Sequence, residues 1–128
     1  MALSYPELVP LTSEVIHAAI EVHSHLGPGL LENIYEEALN WELVDSGLSV
    51  RRQHLHPIIY KAHVLPGAYR LDLLVNDAVV VEVKSVEKVI PVHKSQVRTY
   101  LQMTHCHVGL IFNFNVEQMR DGIFRIVL

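Results

Sequence analysis

The stretch from Tyr69 to Lys84, Tyr-Arg-Leu-Asp-Leu-Leu-Val-Asn-Asp-Ala-Val-Val-Val-Glu-Val-Lys, constrains this chain more than any other. Two apolar runs rich in β-branched residues flank Asn76-Asp77-Ala78, a short polar connection of the kind that closes an antiparallel hairpin. Asp72 and Glu82 are the only acids inside the two arms, so the register decides what they do. A three-residue loop, 76 to 78, sets Val75 opposite Val79, Leu73 opposite Val81 and Asp72 opposite Glu82. A two-residue loop sets the two acids on opposite faces, because a slip of one residue turns every side chain over. Strand alternation adds Lys84 to the face of Glu82. With the longer loop, two carboxylates and one amine converge on a sheet otherwise made of Val and Leu.

Like charges directly opposite one another destabilise a strand pair, and buried carboxylates repel unless something neutralises them. A divalent cation does so, and one or two carboxylates with waters and a substrate phosphate are what Mg²⁺ prefers. The plainer alternative is that Asp72 and Glu82 lie at the solvent edge of the hairpin, one of them paired with Lys84.

At 128 residues, half of them apolar, the chain fits one domain, residues 1–128, with a core of its own. No apolar run approaches a membrane span, and the opening Met-Ala-Leu-Ser-Tyr-Pro-Glu lacks the basic and apolar regions of a signal peptide, so a cytoplasmic protein without membrane association is expected. The single Cys106 fits a reducing compartment. Net charge is −4, divided unevenly: residues 1–50 hold eight acids and no Lys or Arg, residues 51–128 ten Lys or Arg and six acids. The hairpin lies in the basic part, where Lys84, Lys88, Lys94 and Arg98 face one acid, Glu87, and form a candidate phosphate-facing patch or a solvated helix face.

Taken in order, residues 1–11 read as a lead-in, with Thr12 or Ser13 as the N-cap of a helix to about His25 whose stripe is Ile16, Ala19, Ile20 and His23. Gly27-Pro28-Gly29 breaks it. A second helix is expected from about Leu30 to Ser46, with Gly47 beyond its end and Leu31, Ile34, Tyr35, Ala38 and Trp41 as its buried stripe. Glu32 opens this helix, where an acid complements the dipole; Glu36 and Glu37 read as surface residues. Strands follow from Val50 to Ala62, bent at Pro57, then in the two hairpin arms. Pro91 suits the start of a helix to Thr104, with Gln96 and Tyr100 on one face. Gly109–Phe114 and Ile123–Leu128 close the chain as strands, the former parallel to one of the first three. The order ααβββαββ predicts an α/β fold, a mixed central sheet flanked by helices.

Asp72, then Glu82-Val83-Lys84 ten residues on, then a helix bearing Gln96-Val-Arg-Thr-Tyr100, resembles the PD-(D/E)XK nuclease superfamily, with its restriction-endonuclease-like core. Within it, Gly29-Leu-Leu-Glu32-Asn-Ile-Tyr35 is similar to the signature of the bacterial GxxExxY proteins, and Arg52-Gln53, His93 and Gly109-Leu-Ile-Phe-Asn-Phe114 extend the likeness. Leu71 stands where the superfamily label has proline. The resemblance implies that Asp72, Glu82 and the main-chain carbonyl of Val83 ligate Mg²⁺ or Mn²⁺, and that Lys84 orients the attacking water and offsets charge on the phosphate. It implies that Glu32 holds a metal-bound water or a second metal. Gln96 and Tyr100 match the Gln-x-x-x-Tyr motif of the RecB-like branch, which supports the site and substrate backbone, and Lys88 and Arg98 are candidates for substrate binding. The expected activity is metal-dependent hydrolysis of nucleic acid, DNA in the first instance. The oligomeric state stays open, a homodimer being one way for a minimal core to gain binding surface.

Two other readings compete. Three His-x-His pairs, 23/25, 54/56 and 105/107, allow a zinc site in principle, but no Cys-x-x-Cys or His-Glu-x-x-His pattern accompanies them. The more serious alternative is a catalytically silent nuclease fold that binds nucleic acid or a protein partner.

Overall fold

The computed structural model describes residues 3–128. Its elements are α1 (Tyr5–Leu26), α2 (Glu32–Asp45), β1 (Val50–Tyr60), β2 (His63–Val75), β3 (Val79–Lys84), α3 (Pro91–Thr104), β4 (Val108–Asn113), a 3₁₀ turn (Met119–Gly122) and β5 (Ile123–Val127). The expected element order and fold class hold. One five-stranded sheet runs β1-β2-β3-β4-β5, antiparallel throughout except that β3 and β4 are parallel, joined by the α3 crossover.

Strand alternation divides the apolar side chains between two layers. Leu73, Val75, Val79, Val81, Val83 and Phe112 face α1 and α2, while Leu74, Val80 and Ile111 face Val97 and Leu101 of α3. β3 and β4 are buried along nearly their whole length, as a central parallel pair covered on both sides must be. Gly109 lets α3 press onto β4: a Cβ there would lie 2.5 Å from the Val97 side chain.

The hairpin loop takes three residues. Val75 pairs with Val79 and Leu73 with Val81, and Asn76 and Asp77 adopt left-handed backbone conformations, which Asn and Asp tolerate best among non-glycine residues. The bend at Pro57 appears as a shift of register between Pro57 and Ile59.

Four expectations need correction. α1 begins at Tyr5, not at residue 12 or 13: the backbone N–H of Ser4 donates to the Glu7 carboxylate, and Pro6 sits in the first turn, where an absent N–H costs nothing. The second arm starts at His63, not near Tyr69, because Lys61 and Ala62 close a tight turn that pairs Tyr60 with His63. In α1 Ala19 and His23 are buried and Ile16 packs on the core as expected, but Ile20 is exposed, and the buried face also takes in Val15, Ala18 and Val22. In α2 the buried set is Tyr35, Glu36, Leu39 and Leu43, about 100° round from the expected one. Leu31, Ile34 and Trp41 face solvent, Trp41 being 63 % exposed. Tyr35, Leu39 and Leu43 are an apolar stripe four residues apart, a weaker pattern than the one expected, and Glu36 joins their face because Arg52 and Gln53 meet it from the sheet.

Candidate active site

The β2–β3 ladder ends at Leu73 and Val81. One residue further, side chains take over from the backbone. The Val83 N–H donates to Asp72 Oδ2 at 2.8 Å, and the Asp72 N–H donates to Glu82 Oε1 at 3.2 Å. The two acids are therefore neighbours on the α3 side of the sheet, where the three-residue loop places them. Because the N–H and C=O of one strand residue leave the same edge, the Val83 carbonyl points to this gap between β2 and β3 as well.

The gap has a cause on the other side of β2. Arg52 pairs with Leu73 and His54 with Leu71, but Gln53, which would pair with Asp72, has a φ of 52° and does not. The alternation of β2 slips at the same point, since Leu71 and Leu73 pack in opposite layers. Asp72 thus pairs regularly with neither neighbouring strand, and the twist frees it to face Glu82. Gln53 is held in place by Glu36: its Nε2 donates to Glu36 Oε1 at 2.6 Å, while Arg52 Nε donates to Glu36 Oε2 at 2.8 Å.

Glu82 is 6 % exposed. Burial, and secondly the charge of Asp72, push its carboxyl up to about 9, against downward pulls from the Asp72 N–H bond and, less, from Lys84. The ion pairs of the described residues involve neither Asp72 nor Glu82. A half-buried Lys84 follows on the same strand face. A hard cation fits this donor set of two adjacent carboxylates and a main-chain carbonyl, and it removes the repulsion that helps raise the proton affinity of Glu82. Among the described residues no three His, Cys, Asp or Glu side chains converge as a metal cluster, so the protein's share of such a site is small and water and phosphate would complete it.

The Gly29-x-x-Glu32-x-x-Tyr35 spacing has a physical role. Gly29, at φ 99°, makes the turn. The Tyr35 hydroxyl accepts from the Leu30 N–H and donates to the Gly27 carbonyl, and its ring stacks on Phe114 at 4.5 Å. With the turn clamped, Glu32 at the start of α2 accepts the Ser85 N–H at 3.2 Å, and Ser85 Oγ donates to the Leu30 carbonyl at 2.6 Å. Glu32 is thereby tied to the residue after Lys84, beside the carboxylate pair and not joined to it.

On α3, Tyr100 is half-buried; burial first, then the charges of Glu82 and Asp72, raise its hydroxyl's pKa. Gln96 is exposed, as are Lys88 and Arg98, none of which makes an ion pair or side-chain hydrogen bond among the described residues. Three residues near the site were given no role by sequence reasoning. Tyr69 meets Tyr100 edge-on at 5.8 Å. His93 Nδ1 accepts the Ile90 N–H, so a neutral ring carries its proton on Nε2; burial first, then Lys84, lower its pKa, and Glu32 raises it. Gln53 sets the break at Asp72. The family resemblance takes in Gln53 and His93 without giving them a role, and Tyr69 it does not take in.

One histidine of each pair has a backbone partner: His23 Nε2 donates to the Val116 carbonyl, His56 Nδ1 meets the Pro57 carbonyl and His107 Nδ1 the Leu128 carbonyl. No helix is long and apolar enough to cross a membrane among the described residues.

Neither the curated proteins nor the solved structures yield a significant match to this chain. A family model does: that of the PD-(D/E)XK nuclease superfamily matches residues 9–126. The match takes in the hairpin acids, Lys84, both helices that reach them and all of the sheet but the last residue of β5, and on that extent the chain belongs to the PD-(D/E)XK nuclease superfamily.

Proposed function

We propose that this protein is a metal-dependent nuclease that hydrolyses phosphodiester bonds, DNA being the expected substrate. The observation that carries the reading is Glu82, buried against a second carboxylate with no ion pair to either acid among the described residues, in a chain of a nuclease superfamily. A buried pair of this kind is costly to the fold and is retained where function needs it.

Asp72, Glu82 and the Val83 carbonyl would hold Mg²⁺ or Mn²⁺, with Glu32 at the margin of the site. Such an ion supplies a nucleophile at neutral pH and stabilises charge on the phosphoryl oxygens. Lys84, a point charge on a flexible stem, offsets developing negative charge without the geometric demands of arginine. Glu32 holds the backbone after Lys84 through Ser85 and so fixes the amine's approach. Tyr100 and Gln96 orient the substrate backbone, and Lys88 and Arg98 extend positive charge along α3. The Gly29, Glu32 and Tyr35 geometry supports assignment to the GxxExxY group, and the Gln96/Tyr100 spacing supports the RecB-like branch. In this reading the chain is one cytoplasmic nuclease domain, with homodimerisation as a means of enlarging its binding surface.

Mg²⁺- and Mn²⁺-dependent cleavage of plasmid and single-stranded substrates tests the reading. Asp72→Asn, Glu82→Gln and Lys84→Ala should each remove most of it while binding weakens less, because metal and lysine act on charge that develops in the transition state. A wild-type protein that cleaves neither DNA nor RNA with either ion, while wild type and triple variant bind nucleic acid equally, would replace the enzyme with a binding module.

A further inference from the structure

β1 and β2 continue past the sheet as a two-stranded ribbon. From Leu55 to Arg70 no residue is fully buried, and Leu55, Ile59, Tyr60, Val64 and Leu65 are exposed. A free ribbon of this kind is marginal in water by itself, so its length calls for a partner. Its composition says which. Residues 51–71 contain Arg51, Arg52, Lys61, Arg70 and three histidines without one acid, in a chain whose net charge is −4. Arg51 and Arg52 are paired to Asp77 and to Glu36 and Glu37, which leaves Lys61 and Arg70 for an external anion, with Lys61 held over the Tyr60 ring. The ribbon also leaves the sheet at Asp72, where Gln53 and the slip in β2 twist it. From Asp72 to the turn at His63 it spans about 30 Å, longer than a nucleic-acid duplex is wide. Basic, aromatic and aliphatic side chains without acids suit phosphates and sugar edges, whereas a protein-binding ribbon has no reason to exclude carboxylates.

We infer that the β1–β2 ribbon, residues 54–70, is an arm that lies in a groove of double-stranded nucleic acid and holds the duplex across the Asp72/Glu82 site, a two-stranded ribbon being of a size a major groove admits. The inference rests on the proposed nuclease reading for what happens at that site, and it assigns the substrate class as duplex.

The test replaces residues 58–67 by Asn-Gly, which closes the hairpin on the existing Pro57–Ala68 pair and removes no buried residue. A second variant, Lys61→Ala with Arg70→Ala, keeps the ribbon's length. Binding of a short fluorescent duplex and of the matching single strand is measured by anisotropy with chelator present, so that no cleavage is needed. Circular dichroism and light scattering report folding and oligomeric state. The ribbon-shortened protein should lose about tenfold or more in duplex affinity and bind duplex no better than single strand, and the double variant should reduce the salt dependence of duplex binding by a slope of about 2. Unchanged duplex affinity in the folded, shortened protein overturns the inference. So does a dimer that becomes a monomer on shortening with duplex affinity intact, since the ribbon would then serve a second copy. Cleavage in the same preparations keeps the two readings apart: lost duplex binding in a protein that never cleaves removes the nuclease and leaves the arm, while retained cleavage with unchanged duplex binding removes the arm and leaves the nuclease.

Discussion

Glu36 and Glu82 are buried to the same degree, each 6 % exposed, and their surroundings are opposite. Glu36 is met by the Arg52 guanidinium and the Gln53 amide, so both its oxygens are satisfied and its charge is balanced. Glu82 is met by a second carboxylate and by one backbone N–H, and its pKa rises accordingly. Burial alone therefore does not separate a structural acid from a functional one; the sign of what faces it does. The two are linked as well, because Glu36 holds Gln53, and Gln53 opens the ladder beside Asp72.

Activity offers the sharpest way to break this contrast. Glu82→Gln or Asp72→Asn should lower Mg²⁺-dependent cleavage by about a hundredfold to a thousandfold or more, while Tyr100→Phe and Gln96→Ala, which position rather than react, should cost far less. Initial rates on a plasmid substrate would separate the groups. Equal losses across all four would mean that the site had been drawn around the wrong residues.

Stability should show the reverse order. Glu36→Ala removes the partner of Arg52 Nε, leaving that arginine only Glu37, and releases Gln53, for an expected loss of about 1–2 kcal/mol in denaturant unfolding. Glu82→Gln spares the folded, metal-free protein the proton that the buried carboxyl must hold, so at neutral pH it should be as stable as wild type or more so. A Glu82→Gln variant as damaged as Glu36→Ala would mean that Glu82 is structural too.

A smaller effect follows from pH. In the folded, metal-free protein Glu82 keeps its proton up to about 9, whereas unfolded it releases it near the ordinary 4.5. Between those values the folded state binds more protons, so its stability falls as pH rises; the contribution is complete below the lower value and is lost through the upper. Thermal melts of metal-free protein across that window should decline in wild type and flatten in Glu82→Gln. Mg²⁺ competes with the same proton, so its stabilising effect should grow with pH.

Much of this was legible in the chain because it rests on local rules. Two short β-branched arms around Asn76-Asp77-Ala78 fix a register, and the register fixes Asp72 against Glu82. The Gly29, Glu32 and Tyr35 spacing likewise reads as one turn and one helix start. What escaped notice depends on distant partners. Glu36 looks like any surface acid until Arg52 is brought across from another strand, and it then joins Tyr35, Leu39 and Leu43 on a buried face of α2 turned away from Leu31, Ile34 and Trp41. The length of the ribbon depended on Lys61-Ala62 making a turn without glycine, for which local composition gives no cue. His93 and Tyr69 acquire their neighbours only when α3 folds back over the sheet.

The central claim is that Asp72, Glu82 and the Val83 carbonyl hold a divalent ion. Anomalous scattering from crystals grown with Mn²⁺ addresses it directly. The account predicts a strong peak within about 2.3 Å of a carboxylate oxygen from each of the two acids, with the carbonyl beside it, and no such peak in Asp72→Asn crystals. A peak at the histidine pairs or on the acidic faces of α1 and α2, or none between Asp72 and Glu82 at saturating Mn²⁺, would contradict it.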